Sequence, residues 1–400
     1  MELTPDEQAT YDGERGPVHQ KAMEILVALG KIYGARSLVP VTSVQIAGVS
    51  YKNLGMPGKE FIRWWVDHGA RVRRLATLNP AGIDRKRWKE LGFPEEFSTH
   101  QREIIDDYAM LGIEPTCTCA PYEIGNLPKF GDHIAWSESS AVSFANTYIG
   151  ARTNREGGPS ALAAAIVGKT PCHGYHLDEQ RAPGVGYDVT ATVRNEADAG
   201  ALGIVAGRDV GSRVPFFSGL PPFETGWYKQ LGAAMAASGS VALYHVDGQT
   251  PEARAKTVRP PEETRPVESL DPAYELLNSG GERIDFVSLG CPHASLEEMH
   301  RIAEMLRGRK VVVPLWITTS VATAAQADEY GYAAVIEGAG ARVVCDTCMV
   351  VSPIETFGYE TVATNSAKGC YYLQSWCGVE TRYGDVHSCI EAACTGRWPQ

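Results

Sequence analysis

The sequence predicts an α/β protein built of mostly parallel sheets covered by helices. Short valine-rich segments of strand length alternate along the chain with segments whose apolar residues have helical spacing. Turns rich in glycine and proline separate these segments, and the chain contains 41 Gly and 24 Pro. Such alternation is typical of βα units, in which parallel strands are joined by helices that cover the sheet.

Composition narrows the class of protein further. The chain has 400 residues, of which 44% are hydrophobic, enough for two or three packed domains. Its net charge of −11 is spread without a basic run, which argues against a nucleic-acid partner. No apolar stretch reaches the roughly 18 residues of a membrane span, and Met1 to Gln20 is too polar for a signal peptide. We therefore expect a cytoplasmic protein with no membrane partner.

The first predicted domain, residues 1–150, begins the alternation. Its predicted elements, in order, are a helix over 16–34, a strand over 37–46, a helix over 58–68, a strand over 71–78, a helix over 98–111 and a small-residue helix over 141–150. Ser98, with Gln101 three residues later, has the spacing of a capping box, and Ser137 is the expected N-cap of the last helix.

Two further domains are predicted after the first. Residues 151–270 form a glycine-rich α/β domain that ends in a proline-rich linker over 249–272. Residues 271–400 form the third and most regular domain. Its predicted elements are a strand that ends before Cys291, a helix over 296–306, a strand over 311–317, a helix over 321–329, a strand over 341–345 and a strand over 361–364.

Polar turns at the ends of the predicted strands suit a small anionic molecule, because backbone amides in such turns can face an anion. The turns that we expect to bind substrate follow the first two strands and contain Gly48, Val49, Ser50, Asn79 and Pro80. Lys368 lies in a similar turn after a later strand and could add a cation to the same cleft, since ligand-binding turns gather at the carboxyl ends of parallel strands. The alternative is that Lys368 is a solvated surface residue that does not bind substrate.

Cysteines mark three of the strand ends, at Cys117 and Cys119, at Cys291, and at Cys345 and Cys348. Without an export signal, ten cysteines favour metal or thiolate chemistry over a disulfide framework. Taken alone, the Cys345-x-x-Cys348 pair could be a redox pair, half of a zinc site, a cluster ligand or buried filler. One cysteine from each strand end would suit an iron-sulfur cluster, because thiolates are soft ligands for iron. Three thiolates on a 4Fe-4S cluster leave one iron open as a Lewis acid for lyase chemistry.

Other polar residues near these turns have two open interpretations. Glu138 and Ser139 could do acid-base or orienting work, or could cap a helix. Arg152 and Arg155, in a glycine-rich turn, could bind carboxylate or phosphate, or could form an ion pair with Glu156. Lone histidines are usually structural, and three of them lie near cysteines in the sequence: His133, His173 and His293.

Several long runs of residues together resemble the aconitase X family. They are Thr118 to Tyr122, Gly131 to Val142, Gly150 to Gly158, Leu289 to His293 and Asp346 to Cys348. The resemblance extends over nearly the whole chain and implies an aconitase-like fold of several Rossmann-like domains that catalyses a dehydration. In that family three cysteines carry an iron-sulfur cluster, and the matching residues are Cys119, Cys291 and Cys348. The resemblance therefore implies no essential role for Cys117 and Cys345.

The resemblance also implies a substrate and a partner. Family members dehydrate either (R)-5-phosphomevalonate, to trans-anhydromevalonate 5-phosphate in isoprenoid precursor synthesis, or cis-3-hydroxy-L-proline. Their complete unit includes a small swivelling domain with a serine that acts as the main base, and this sequence ends at Gln400 without it. We therefore expect a heterodimer with a small swivel-domain subunit, an organisation that favours phosphomevalonate.

Three alternatives to this function follow from the same patterns. The first is a cis-3-hydroxy-L-proline dehydratase, which shares the family and the cluster. The second is a structural metal- or cluster-binding protein without catalysis, which a colourless zinc-loaded preparation would support. The third, a nicotinamide-dependent oxidoreductase, has only the α/β pattern in its favour and lacks a Gly-x-Gly-x-x-Gly fingerprint after its first strand.

Overall fold

A computed structural model describes residues 1–399, and four sheets organise this part of the chain. The strands are β1 (Leu38–Pro40), β2 (Ser43–Ile46), β3 (Leu75–Leu78), β4 (Ala135–Trp136), β5 (Lys169–Pro171), β6 (Val185–Val189), β7 (Pro215–Ser218), β8 (His245–Val246), β9 (Thr264–Val267), β10 (Phe286–Leu289), β11 (Leu315–Thr319), β12 (Arg342–Cys345), β13 (Thr361–Thr364) and β14 (Glu380–Tyr383). The helices are α1 (Pro5–Tyr11), α2 (Pro17–Ile32), α3 (Tyr51–Asp67), α4 (Glu95–Met110), α5 (Ser139–Phe144), α6 (Gly158–Val167), α7 (Glu196–Asp209), α8 (Thr225–Gly239), α9 (Pro251–Arg254), α10 (Asp271–Leu277), α11 (Leu296–Leu306), α12 (Val321–Glu329), α13 (Tyr332–Gly338), α14 (Ala367–Tyr372) and α15 (Val386–Thr395).

The first sheet has the order β3-β2-β4, and all its strands are parallel. Apolar residues of α2, α3, α4 and α6 form one core with it, which includes Met23, Trp65 and Tyr108. The run Ala161–Ala165 is fully buried in α6, because alanine side chains allow this helix to lie close against its neighbours. A separate antiparallel pair, β1 with β5, adds the only departure from parallel pairing among the named strands of residues 1–399.

The second sheet has the order β8-β7-β6-β9, again parallel, and packs against α7 and α8. The segment 249–272, which the sequence predicts as a linker, instead contains α9 and β9. Strand β9 pairs with β6 at the edge of the sheet. Proline is compatible with an edge strand because one side of such a strand needs no ladder hydrogen bonds, so Pro266 fits there although proline-rich segments usually indicate connections.

The third sheet has the order β12-β11-β10-β13-β14 with every pair parallel. Helices α11, α13 and α15 contribute to its core. The chain runs outward from β10 to β12 and then crosses back to β13, so the strand order reverses between β10 and β13. In open parallel sheets, ligands bind at such a reversal, beyond the carboxyl ends of the strands.

The predicted fold class is confirmed, because the sheets are mostly parallel and helices cover them. The bounds of α11, α12 and β13 are those the sequence predicts. Two caps are wrong: α4 begins at Glu95, which places Ser98 inside the helix, and Glu138 rather than Ser137 is the N-cap of α5. The domain boundaries at residues 150 and 270 stay predictions. No helix in residues 1–399 combines the length and the apolar character that crossing a membrane requires.

Candidate active site at the strand ends of two sheets

The carboxyl ends of the first and third sheets meet around one cavity of about 260 Å³, which we call the central cavity. The turns after β2, β3 and β4 line it from the first sheet, and the turns after β12 and β13 line it from the third. The central cavity is lined by most of the residues that the sequence predicts for substrate and catalysis: Gly48, Val49, Asn79, Pro80, Glu138, Ser139 and Lys368. The structure therefore brings these distant turns together, while their roles stay predictions.

Ser50 lies beside the central cavity but does not line it. Its hydroxyl donates a hydrogen bond to the carbonyl of Val351 at 2.7 Å and accepts one from the backbone N–H of Lys52 at 3.2 Å. The side chain thus caps α3 and joins this helix to the turn after β12. An N-cap role is common for a serine directly before a helix.

Lys368 and Glu138 form a buried ion pair beside the central cavity, with 8% and 5% of their surfaces exposed. Glu138 also caps α5, since its Oε2 accepts hydrogen bonds from Ser140 Oγ at 2.6 Å and from Ala141 N at 2.7 Å. The alternative of a solvated lysine is therefore wrong. The expectation that Glu138 caps a helix is confirmed, while acid-base or orienting work by this residue stays a prediction.

Electrostatics keep both members of this pair charged. Burial disfavours the carboxylate, but the charge of Lys368 and its hydrogen bond hold the pKa of Glu138 below its ordinary value. Burial likewise disfavours the ammonium, yet Glu138 and the nearby thiols of Cys291 and Cys119 raise the pKa of Lys368 above its ordinary value. The base of the cavity therefore carries a fixed cation next to two cysteine thiols.

The predicted cluster cysteines, Cys119, Cys291 and Cys348, are buried and close together. Interaction with the Cys348 thiol, together with the charge of Lys368, lowers the pKa of Cys291 to about 7 despite its burial. Cys119 is near enough to both for their charges to interact. Cys117 and Cys345 lie outside this group. They neighbour Asp346 and Asp84 instead.

The donor set of this group suits an iron-sulfur cluster. All ten cysteines are free, and the three that converge offer soft sulfur ligands. These three cysteines are not already placed as a metal site, because within residues 1–399 no group of three or more His, Cys, Asp and Glu side chains is arranged to hold a metal ion. Thiolates are the usual ligands of iron-sulfur clusters, whereas magnesium takes oxygen ligands.

Backbone geometry fixes the turns that carry two of these cysteines. Gly290, directly before Cys291, has φ +90°, and a Cβ there would lie 2.1 Å from the carbonyl oxygen of Thr318, so only glycine fits. Asp346, two residues before Cys348, has φ 65°, which is strained for a residue other than glycine. Two hydrogen bonds from Arg85, at 2.9 and 3.2 Å, hold its carboxylate.

His293 ties the three cysteine turns to one another. Its ring lies 2.9 Å from the hydroxyl of Thr118 and 3.0 Å from the carbonyl of Thr347, which are the residues beside Cys119 and before Cys348. Its backbone N–H donates a hydrogen bond to Cys119 Sγ at 3.1 Å. Burial lowers the pKa of His293 to about 4, so a neutral ring donates to Thr347 and accepts from Thr118. The contacts are with protein groups, in agreement with a structural histidine.

Replacing His293 with alanine is expected to lower iron retention as well as stability. The change leaves the buried Thr118 hydroxyl and Thr347 carbonyl unsatisfied, at a cost of about 1–3 kcal/mol for each group. Iron per chain and the free energy of unfolding of the metal-free chain are measured. His245→Ala is the control, because His245 is equally buried but bonds to the carbonyl of Arg181 and to none of the cysteine turns. Equal iron content in the two variants would contradict a role in holding the cysteine turns.

Arg155 is a cavity residue whose role the sequence left open. It lines the central cavity from the turn before α6, and its guanidinium forms no ion pair within residues 1–399. The alternative pairing with Glu156 is not formed, since that carboxylate accepts hydrogen bonds from Ser160 at 2.6 Å and Thr170 at 2.8 Å. Arg152 is instead paired with Asp178. Of the two arginines, only Arg155 is available to a ligand in this cavity.

Comparison with protein families gives three consecutive matches. The aconitase X first domain matches residues 1–179, the second domain residues 183–274 and the third domain residues 284–395. The chain is 51% identical to the phosphomevalonate dehydratase large subunit of Thermococcus kodakarensis, over 98% of this chain and 100% of that protein. It is 47% identical to the protein of the same name from Methanocaldococcus jannaschii, over 98% and 100%.

More distant relatives and a solved structure agree with these matches. A cis-3-hydroxy-L-proline dehydratase of Pseudomonas aeruginosa is 36% identical, over 98% of this chain and 70% of that protein. The crystal structure of Thermococcus kodakaraensis aconitase X in its holo-form superimposes with a TM-score of 0.92 at 50% identity, covering 98% of this chain and 100% of that one. With nearly its whole length matched in sequence and in fold, the chain belongs to the aconitase X family.

Proposed function

We propose that this chain is the large subunit of a two-subunit hydro-lyase that dehydrates (R)-5-phosphomevalonate to trans-anhydromevalonate 5-phosphate. The observation that carries the proposal is the central cavity, which is lined by the buried cation of Lys368 and by a turn with unpaired backbone amides. The thiols of Cys291 and Cys119 do not line the cavity but are near enough to Lys368 to act on its charge. Four relatives named phosphomevalonate dehydratase large subunit are 47–51% identical and a fifth is 34% identical, whereas two named cis-3-hydroxy-L-proline dehydratase are 32–36% identical. The reaction belongs to isoprenoid precursor synthesis, and we propose a cytoplasmic location.

Cys119, Cys291 and Cys348 are proposed to hold a 4Fe-4S cluster. When bound, such a cluster supplies a Lewis acid at the iron that has no protein ligand, suited to a substrate hydroxyl. The hydrogen bond from His293 N–H to Cys119 would persist beside the cluster and favour the thiolate form of that sulfur. Lys368, close to Cys291 and Cys119, would offset the negative charge that thiolates and substrate bring together.

The turn after β2 supports binding of an anionic substrate. Gly48 has φ +75°, and the backbone N–H groups of Gly48, Val49 and Ser50 donate no hydrogen bond within residues 1–399. Consecutive amides in such a turn form a concave site for an anion. Asn79, from the neighbouring strand end, has an amide oxygen that is buried without a partner. It could accept a hydrogen bond from the substrate hydroxyl.

The chain's own polar groups would orient the substrate rather than remove its proton. Glu138 is committed to Lys368, Ser140 and the cap of α5, so its carboxylate is poorly placed to act as the main base. Its role would be to hold Lys368 and the start of α5 in position, with Ser139 at the cavity wall. We therefore propose that the base lies on a small partner of swivel-domain type, and that the functional protein is a heterodimer.

An anaerobic assay of both substrates tests this proposal. The iron-loaded chain is combined with a small swivel-domain subunit and offered (R)-5-phosphomevalonate and cis-3-hydroxy-L-proline in parallel. We expect dehydration of phosphomevalonate only, and no turnover by the chain without its partner, because the proposed base is then absent. Dehydration of hydroxyproline alone would support the alternative substrate. Turnover by the lone chain would contradict the assignment of the base to the partner.

A further inference from the structure

We infer that Arg155, the Ser137 hydroxyl and the N-terminus of α6 form the subsite for the phosphate group of the substrate. The inference deepens the proposed function and rests on it, because it takes the substrate to be a phosphate ester. In this arrangement the phosphate binds at the exposed margin of the central cavity. The reacting end of the substrate then lies near the buried Lys368.

Two adjoining cavities define this place. Beside the central cavity lies a second one of about 450 Å³ between α3, α4 and the turn before α6, which we call the outer cavity. Its walls include Leu54, Phe61 and Tyr108. The two cavities share a boundary made of four residues: Ala47, Gly48, Ser137 and Arg155. A ligand group bound at this boundary would therefore contact both the central cavity and the outer cavity.

Unsatisfied polar groups surround the boundary. Ser137 is 4% exposed, and its hydroxyl is buried with no hydrogen-bond partner within residues 1–399. A buried hydroxyl without a partner costs free energy unless a ligand or a water completes its bonding. Arg155 is exposed and unpaired, and the amides of Gly48 and Val49 are also free. All of these groups are donors, the pattern that a phosphate with several acceptor oxygens satisfies.

Helix α6 adds a positive end at the same place. Its N-cap, Gly157, makes no side-chain capping bond, and the N–H groups of Gly158 and Ser160 donate no hydrogen bond within residues 1–399. A Cβ on Gly158 would lie 2.7 Å from the carbonyl oxygen of Ala47, so glycine allows the helix start to lie directly against the cavity boundary. The free amides and the helix dipole favour an anion there.

The nearby carboxylate does not oppose an anion. Glu156 follows Arg155 directly, but its oxygens are occupied by the hydroxyls of Ser160 and Thr170. Burial raises the pKa of Glu156 above its ordinary value, which favours the neutral acid. Lys368 has Glu138 as its carboxylate partner, so Arg155 is the cation of the central cavity that lacks such a partner within residues 1–399.

Replacing Arg155 with glutamine in the reconstituted two-subunit enzyme tests the subsite. We expect KM for phosphomevalonate to rise roughly thirtyfold or more while kcat changes by less than about threefold, since a binding contact remote from the reacting atoms is lost. Inorganic phosphate should inhibit the wild-type enzyme competitively and the variant far more weakly. Ser137→Ala should likewise raise KM for phosphomevalonate and weaken inhibition by inorganic phosphate. Arg155→Lys should recover part of the loss.

Arg152→Gln is the matched control. Arg152 lies in the same turn, is paired with Asp178 and does not line either cavity, so this variant should match the wild-type enzyme. The unfolding temperature of each variant is measured to check that it folds. We expect the Arg155 variants to fold normally, because the Arg155 side chain is exposed. An Arg155→Gln enzyme that keeps wild-type KM and phosphate inhibition overturns the subsite and leaves the proposed function intact. Use of hydroxyproline alone, with phosphate still bound through Arg155, overturns the proposed substrate but supports the anion subsite.

Discussion

Serine in place of Cys119, Cys291 or Cys348 is expected to remove the iron and abolish dehydration. Each of these thiols is buried and near the others, so losing one leaves two of the three sulfur ligands. A hard serine oxygen is a poor ligand for iron compared with a thiolate. Iron per chain and the visible absorbance of the anaerobic protein are measured alongside activity.

Cys345→Ser is the matched control for this series. Cys345 is in the same Cys-x-x-Cys sequence as Cys348 but neighbours Asp84 and Asp346, away from the three converging thiols. Serine there should retain iron and activity. Loss of iron in Cys345→Ser together with a retained cluster in Cys348→Ser would reverse the assignment of these two residues.

Lys368→Met is expected to destabilise the chain by about 3–5 kcal/mol and to remove activity, because it leaves the buried carboxylate of Glu138 without its cation. Denaturant unfolding of the metal-free chain measures the first effect. Dehydration of phosphomevalonate by the two-subunit enzyme measures the second. A variant as stable as the wild-type chain would contradict a coupled buried pair.

The double variant Lys368→Met with Glu138→Gln separates structure from function. Glutamine removes the unpaired charge, and its amide oxygen can still accept the hydrogen bond from Ala141 that caps α5. We expect this chain to regain most of the lost stability and to remain inactive, because the cation at the base of the central cavity is still missing. Recovery of activity together with stability would show that Lys368 serves the fold alone.

Local patterns are sufficient for much of the fold. The periodic apolar residues of α11 and α12 and the apolar segment that forms β13 predict those elements with the bounds that the structure has. Cys291 and Cys348 follow β10 and β12 as predicted, whereas Cys119 follows no named strand and lies between α4 and β4. Caps are less well determined, because several serines can precede a helix and only the folded geometry selects one. Ser98 and Ser137 illustrate this, since neither caps the predicted helix.

The sequence by itself determined the parallel α/β class, the family and the turns that line the central cavity. Only the tertiary structure decided which side chains in those turns are free. Lys368 pairs with Glu138 across 230 residues of chain, and His293 bonds to both Thr118 and Thr347, which lie far apart in the sequence. Arg155 stays unpaired although Glu156 is its neighbour in sequence. The physical reason is that side-chain pairing depends on which strand ends meet in space, whereas periodicity and turn chemistry depend only on residues close in sequence.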